Sequence, residues 1–223
     1  MFIKKYVMLL TTICIFTASN AHALAVSSIF EVADEQGSGE LKMINNDGKD
    51  MFVRLTMSKV TYEKGIKKFT PLNRDNMNSW HLSITPPQLI MKDGERKAVG
   101  IKYTCEPKEG DSCNLNEDQI YSIDIAPVPY SESKRDSAAI AFGYKLYFLV
   151  PAKKVNLKYS IKRVDAEHFV FSNNSNTMLN AVINTCTKKY SDSCILEYRL
   201  LPGVEKNIVY QNHLCIRIRL MSL

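Results

Sequence analysis

The sequence predicts an all-β protein whose chain folds into two β-sandwich domains. Short runs of alternating apolar and polar residues follow one another along most of the chain, separated by turn residues. No segment has the pattern of an amphipathic helix of three turns or more. The longest apolar run ends at Pro151, and a second, shorter set of runs follows it. These patterns are typical of β-sandwiches.

The strand candidates are runs of alternating or apolar residues that end near glycine, proline or asparagine. In chain order they are 24–32, 40–45, 51–60, 80–84, 89–91, 96–104, 119–126, 138–150, 155–161, 167–172, 178–185, 195–200, 207–210 and 214–220. Alternation is clearest in 51–60, and Leu41, Met43 and Asn45 share one face of the second run. Pro127 and Pro129 are expected to end the run 119–126, because proline has no N–H to donate within a sheet.

The first 23 residues predict a secretory signal peptide. Lys4 and Lys5 form the basic start, an apolar stretch follows, and Ala21-His22-Ala23 has the small-x-small pattern of a cleavage site. We therefore expect residues 1–23 to be removed, residues 24–151 to form the first domain and residues 152–223 a smaller second domain. No later stretch is apolar enough to cross a membrane.

Export places the cysteines in an oxidising compartment, where disulfides form. Cys105 and Cys113 have the same spacing as Cys186 and Cys194, so each pair would close a short loop. Such a bridge stabilises the folded state by roughly 2–3 kcal/mol in the loop-entropy description. Cys215 is left over, as either a buried small apolar residue or an exposed thiol.

Charge and motifs argue against several classes of function. The formal net charge is +6, and removal of Lys4 and Lys5 leaves +4. This mild excess lacks the Lys/Arg clusters with interleaved aromatics expected of a nucleic-acid-binding protein. The sequence has no GxSxG, HExxH, CxxC or glycine-rich phosphate-binding motif, and the histidines are scattered. We therefore expect no enzymatic activity, no metal and no cofactor.

Several short segments follow one another in a fixed order along the chain. Thr85-Pro86-Pro87 precedes an apolar stretch and the turn 92–95, then come the strand to Pro129 and a polar loop at 130–137. The long strand ends in Lys145-Leu146-Tyr147-Phe148-Leu149-Val150-Pro151. In the second domain the segment 171–175, the cysteine pair and Leu201-Pro202-Gly203 complete the pattern. Together these segments resemble the periplasmic pilus-assembly chaperones of the chaperone–usher pathway. The second-domain pattern is most similar to the alternate branch that assembles ECP-type or CFA-type pili.

The resemblance implies two immunoglobulin-like domains that meet at an angle and bind a pilus subunit by donor-strand complementation, in which one protein adds a strand to an exposed sheet edge of another. The donor strand would be 138–144, with Ile140, Phe142 and Tyr144 as the apolar plugs. The other reading of these side chains is that they fill the core of their own domain. The subunit would then pass to an outer-membrane usher, and the free protein would protect its exposed edge by self-association.

The resemblance also implies that a basic residue holds the C-terminal carboxylate of the subunit by a charge-assisted hydrogen bond. Lys145 matches the lysine of the family pattern, and Arg54 and Arg96 are candidates for a second positive charge. The arginine usual on the first strand of the family is missing, since Val26–Phe30 contains no basic residue. Pro86, Pro87 and Pro151 are expected to have structural roles, with Pro87 as a candidate cis proline. An immunoglobulin-like fimbrial subunit or adhesin is the alternative function, and a secreted enzyme with dispersed catalytic residues is a third.

Overall fold

The computed structural model describes residues 23–63, 65–105, 115–129, 142–165, 167–184 and 195–209. Nearly all regular structure in these residues is strand, apart from one short 3-10 helix at Arg74–Ser79. The strands are β1 Leu24–Val26, β2 Phe30–Val32, β3 Ser38–Asn45, β4 Met51–Glu63, β5 Ile66–Pro71, β6 Leu82–Thr85, β7 Gln88–Met91, β8 Arg96–Tyr103, β9 Gln119–Pro129, β10 Tyr144–Val150, β11 Tyr159–Arg163, β12 His168–Asn173, β13 Leu179–Asn184, β14 Ile195–Leu200 and β15 Glu205–Val209.

Strands β1 to β10 form the first sandwich. One sheet has the order β1-β3-β8-β6, and the facing sheet has the order β2-β10-β9-β4-β5, with β7 also pairing with β4. Alternate side chains of both sheets point inward to one apolar core, as expected of packed sheets. Among its fully buried members are Leu41, Val53, Val99, Ile123 and Phe148.

Strands β11 to β15 form the second sandwich. A sheet with the order β11-β12-β15 faces the pair β13-β14. Its core is small and includes Phe169, Phe171, Ala181, Ile183 and Ile208. The all-β fold class with two sandwiches, predicted from the alternating pattern, is therefore confirmed.

The predicted first strand is wrong in one respect, because residues 24–32 form two strands in different sheets. β1 pairs antiparallel with β3, and β2 pairs parallel with β10. Two serines separate them. The Ser27 hydroxyl accepts from the Lys42 amide at 3.1 Å, and the Ser28 hydroxyl donates to the Phe30 carbonyl at 2.6 Å. These side-chain hydrogen bonds provide partners for backbone N–H and carbonyl groups where the chain passes from one sheet to the other.

Two further strand boundaries differ from the prediction. β5 was not predicted, because its residues are all exposed and carry two lysines, as is common for a sheet edge. The predicted strand 155–161 begins only at Tyr159. Before it, the amides of Asn156 and Lys158 donate to the side chains of Asn176 and Ser175, at 2.7 and 2.8 Å, instead of to a neighbouring strand.

The prediction that Pro127 and Pro129 end their strand is also wrong, since β9 continues to Pro129. Both prolines pair with β4, opposite Val53 and Met51. On the other side, the described part of β10 pairs with β9 only as far as Ile125. The prolines therefore lie where β9 has a single described neighbour, and such an edge tolerates the missing N–H.

Buried asparagines end one strand in each sandwich. The Asn45 amide donates to the carbonyls of Lys49 and Met91, at 2.8 and 3.1 Å. Asn173 donates in the same way to Thr177 and Leu200, at 3.0 and 2.8 Å. Each asparagine thus satisfies backbone groups that leave the sheet.

Several sequence predictions concern residues outside the described ranges. These are the signal peptide up to residue 22, the polar loop, Cys113, Cys186, Cys194 and Cys215. Cys105 is disulfide-bonded, and its expected pairing with Cys113 stays a prediction. Where the chain is described, no helix has the length and apolarity of a membrane span.

Candidate functional site

Strand β10 has an open side at its start. β9 pairs with the whole strand, from Tyr144 to Val150. On the opposite side β2 pairs only with Tyr147, Phe148 and Leu149. Within the described residues, no strand pairs with Tyr144, Lys145 or Leu146 on that side. Their backbone therefore offers an edge to which another strand could pair.

The three predicted plug residues have different positions. Ile140 lies outside the described residues. Phe142 precedes the strand and is 75% exposed, so its ring is not part of the core of its own sandwich. Tyr144 packs against that core, and its hydroxyl donates to the Leu24 carbonyl at 2.6 Å. Tyr144 thus contacts its own sandwich, while Phe142 is accessible to a partner.

Lys145 lies on the outward face of the larger sheet, directly across from Asp124 of β9. Its ammonium forms an ion pair and a hydrogen bond with the Asp124 carboxylate. The same ammonium lies 4.8 Å from the centroid of the Phe69 ring. The candidate anchor is thus a cation that already has an acidic partner.

The other two basic candidates lie on different sheets. Arg54 of β4 is exposed on the same outward face as Lys145, and its guanidinium lies 6.0 Å from the centroid of the Phe52 ring. Arg96 of β8 belongs to the facing sheet, where it pairs with Ile44. The structure therefore brings Arg54 and Lys145 to one surface and does not bring Arg96 there.

The three prolines singled out in the sequence all lie where the chain leaves a strand. Pro86 and Pro87 connect β6 to β7, and the Pro87 carbonyl accepts from the Leu55 amide at 2.9 Å. The cis peptide bond precedes Pro86, so the assignment of Pro87 as the cis proline is wrong. Pro151 follows β10 directly, at the start of the connection to the second sandwich.

One buried carboxylate joins the two sandwiches. Asp118, just before β9, is 6% exposed. It accepts from the amides of Ala152 and Met178, at 2.8 and 2.7 Å, and from the Thr177 hydroxyl at 3.2 Å. Burial raises the pKa of Asp118 above its ordinary value, and these hydrogen bonds lower it by less. Asp118 thus connects the first sandwich, the linker and the second sandwich.

An apolar cluster at the junction supports this connection. Val60, Ile120 and Leu149 from the outward face of the first sandwich pack with Met178 and Leu201 from the second. The alternation of β4 changes near its end, where Val60 is buried in this cluster on the face opposite to the core. Contact with the second sandwich, not the core of the first, thus buries Val60.

Next to the junction lies a cavity of about 330 Å³ between the sandwiches. The first sandwich contributes Phe30, Tyr62, Lys67 and Tyr147, and the second contributes Tyr198, Arg199, Leu200, Leu201, Val204 and Lys206. Three cations therefore line a space whose remaining walls are aromatic or aliphatic. In the described residues, no group of three or more histidine, cysteine, aspartate or glutamate side chains could hold a metal ion.

Sequence analysis did not identify Asp118, Lys67, Arg199 or Lys206. Each lies in or beside a strand, and strands contain many charged residues that only face water. Pairing between distant segments brings them together, and the local pattern contains no information about that pairing. For Asp118 one signal existed, because an aspartate directly before an apolar strand is placed to bind backbone N–H groups.

Comparison with known proteins agrees with the fold. The family described as "CS5 fimbrial protein N-terminal domain" matches residues 26–151. An Escherichia coli protein described as "Uncharacterized 25.9 kDa protein in CS5 3'region" is 23% identical over 190 residues, covering 83% of this chain and 80% of that protein.

Two solved structures share the architecture over most of both chains. The class 5 fimbriae chaperone CfaA has a TM-score of 0.58 at 12% identity, with 90% of this chain and 93% of that chain covered. The SafB chaperone, solved with the SafA pilin of Salmonella enterica, has a TM-score of 0.54 at 9% identity, with 87% of both chains covered.

The family match covers more than half of the chain, and the solved neighbours include a periplasmic chaperone and a chaperone of a chaperone–usher system. The resemblance drawn from the sequence motifs is thereby confirmed. The chain belongs to the CS5 fimbrial protein N-terminal domain family and has the two-sandwich fold of the chaperone–usher chaperones.

Proposed function

We propose that this protein is a periplasmic chaperone that binds fimbrial subunits, stabilises them by lending an edge strand and delivers them to an outer-membrane usher. It acts by binding and not by catalysis. Support comes from the shared fold, because chaperones of this fold have been solved together with a pilin and with tip subunits. The signal peptide 1–23 and the division into 24–151 and 152–223 belong to the same proposal.

The open start of β10 is the observation that carries this proposal. A subunit strand pairing beside Tyr144, Lys145 and Leu146 would complete backbone hydrogen bonds that have no strand partner on that side in the described residues. Phe142 would supply apolar contact. Burial of an exposed phenylalanine stabilises a complex by roughly 1.5–3 kcal/mol before ordering costs are subtracted. Ile140 is proposed to lie on the same face, two residues earlier.

Lys145 is proposed to bind the carboxylate at the C-terminus of the subunit. That carboxylate would compete with Asp124 for the same ammonium, because Asp124 is its present partner. The competition makes binding sensitive to the charge at residue 124. Arg54, two residues along β4 from the residue opposite Asp124, would add positive potential to the same face.

Co-expression with the fimbrial subunit of the neighbouring operon tests the proposal. We expect the wild-type protein to purify with the subunit as a one-to-one complex. Phe142→Asp should weaken this complex at least about tenfold, because a charge replaces a ring that the subunit would bury in the complex. Ile140→Asp should have the same effect.

Val164→Asp is the matched control, because Val164 is also exposed but lies in the second sandwich away from β10. Circular dichroism would verify that each variant is folded. Wild-type affinity in a folded Phe142→Asp variant would refute the donated edge, and growth of polymers of this chain would favour a structural subunit instead. Analytical ultracentrifugation of the free protein tests the expected self-association at the exposed edge.

A further inference from the structure

The second sandwich has an exposed apolar stripe along its first strand. Its four members alternate along the chain and are between 39% and 50% exposed: Val155, Leu157, Tyr159 and Ile161. The Tyr159 ring stacks on the buried ring of Phe171, with 5.6 Å between the ring centroids. The stripe therefore lies on the core-facing side of its sheet, yet none of its members belongs to the described core of this sandwich.

The backbone of the same residues forms an open edge. β11 is the end strand of the order β11-β12-β15, and within the described residues no strand pairs with its outer side. The Asn156 amide donates to the Asn176 side chain at 2.7 Å, and the Lys158 carbonyl accepts from the Asn174 amide at 2.8 Å. Backbone groups of successive residues in an extended chain point to opposite sides. Those of the stripe residues 157, 159 and 161 therefore point away from β12.

Three lysines alternate with the stripe. Lys154, Lys158 and Lys162 are exposed, and over the described residues none of them forms an ion pair. Because side chains alternate along a strand, these lysines lie on the face opposite to the stripe. A second copy of this chain paired at the same edge would bring two rows of lysines side by side, which is unfavourable. A strand with acidic side chains would meet attraction there instead.

We propose that β11 binds an extended segment of a partner protein in which apolar and acidic side chains alternate. The backbone of this segment would pair with the open edge of Leu157, Tyr159 and Ile161. Its apolar side chains would pack on the stripe, and its acidic side chains would form cross-strand ion pairs with Lys158 and Lys162. Charge complementarity selects this partner, because a neutral strand leaves the lysines unpaired and a basic strand is repelled.

This site goes beyond the proposed chaperone function and is separate from it. The donor edge belongs to β10 of the first sandwich, and no residue of β11 lines the cavity between the sandwiches. An anionic membrane surface offers negative charge as well, but it has no backbone groups that pair with a strand edge. The open edge of β11 therefore favours a protein segment over a membrane. Loss of this site would leave fimbrial subunit binding at β10 unchanged.

NMR titration of the isotope-labelled protein with synthetic peptides tests the proposal. The probe is a blocked seven-residue peptide in which glutamate and valine alternate. One control peptide has glutamine in place of glutamate, and the other has the same composition with the glutamates and valines in separate blocks. We expect the alternating acidic peptide to bind at least about tenfold more tightly than either control and to shift the amide signals of Leu157, Tyr159 and Ile161.

Two variants locate the site. Ile161→Asp should weaken binding of the acidic peptide at least about tenfold, because a charge replaces an apolar contact and repels the glutamates. Lys158→Gln combined with Lys162→Gln should weaken it about threefold or more and leave the glutamine peptide unaffected. Val209→Asp is the matched control, since Val209 is an exposed apolar residue on the opposite edge strand, β15.

Several outcomes would overturn the proposal. One is equal binding of the three peptides, or no binding of the alternating acidic peptide. Another is wild-type binding in the Ile161→Asp variant, or an equal loss in the Val209→Asp variant, with thermal unfolding verifying that both are folded. Binding to phosphatidylglycerol vesicles without binding to the peptide would identify a membrane surface as the partner instead.

Discussion

Replacement of Asp118 by alanine should weaken the coupling between the two sandwiches, so that they no longer unfold together. The substitution leaves the amides of Ala152 and Met178 without their acceptor. Each buried unpaired donor costs about 1–3 kcal/mol, so the two together would cost about 2–6 kcal/mol. Removal of a buried charge offsets part of this cost, since burial raises the pKa of Asp118. We therefore expect the free energy of unfolding to fall by about 2–4 kcal/mol.

Urea denaturation provides the measurement, with two spectroscopic signals. Fluorescence of Trp80, the single tryptophan of the chain, reports on the first sandwich, and far-ultraviolet circular dichroism reports on all strands. In the Asp118→Ala variant the two signals should no longer share one midpoint, because the junction loses the hydrogen bonds that the Asp118 carboxylate accepts from Ala152, Thr177 and Met178. Glu117→Ala is the control, since Glu117 is the exposed neighbour of Asp118.

The reasoning is refuted if the Asp118→Ala variant stays within about 0.5 kcal/mol of the wild type, which is the range of ordinary surface substitutions. Coincident transitions with a large loss of stability would refute only the separation of the sandwiches. In that case Asp118 would stabilise the molecule as a single cooperative unit.

Three further predictions concern the same junction and the strand ends. Burial raises the folded-state pKa of Asp118. Its titration therefore contributes stability below the ordinary aspartate pKa of about 3.9, and this contribution is lost as the pH rises through the folded-state pKa. In urea titrations the advantage of the wild type over Asp118→Ala should thus be larger at about pH 4 than at pH 7. Gly203→Ala should lower the stability measured by thermal unfolding by about 1–2 kcal/mol, since φ is +77° and a new Cβ would lie 3.2 Å from the Tyr62 Cβ. Gly94→Ala is the control, because φ is +73° there but no atom lies near the new Cβ. It should lose only about 1 kcal/mol, the part that comes from the strained backbone conformation. Asn173→Ala should cost about 2–4 kcal/mol, because two buried carbonyls lose their donor, and a loss below about 0.5 kcal/mol in urea titrations would contradict this account.

Much of each sandwich could be predicted from the sequence, because the alternation of side chains along a strand is a local property. Leu41, Met43 and Asn45 share a buried face in the structure, as their spacing predicted. The same applies to Met51, Val53 and Leu55 at the start of β4. Where one face of a strand contacts a core and the other contacts water, the sequence alone determines which side chains are inside.

Alternation of apolar and polar residues did not predict the structure of segments that have no buried face or two buried faces. The exposed edge strand β5 carries no apolar pattern, so it was not predicted. The run 24–32 reads as one strand, but hydrogen bonds to β3 and to β10 divide it between two sheets. Val60 would face water in an isolated sandwich, and the second sandwich buries it.

The sequence by itself determined the all-β class, most strand positions and the motifs that indicated a pilus-assembly chaperone. Only the tertiary structure decided that Phe142 is exposed while Tyr144 packs inward, that Asp124 pairs with Lys145, and that Lys67 and Arg199 line one cavity. The physical reason is the separation along the chain between the residues that interact. Strand patterns arise from neighbours along the chain, whereas charge pairing and cavities depend on which distant strands lie side by side.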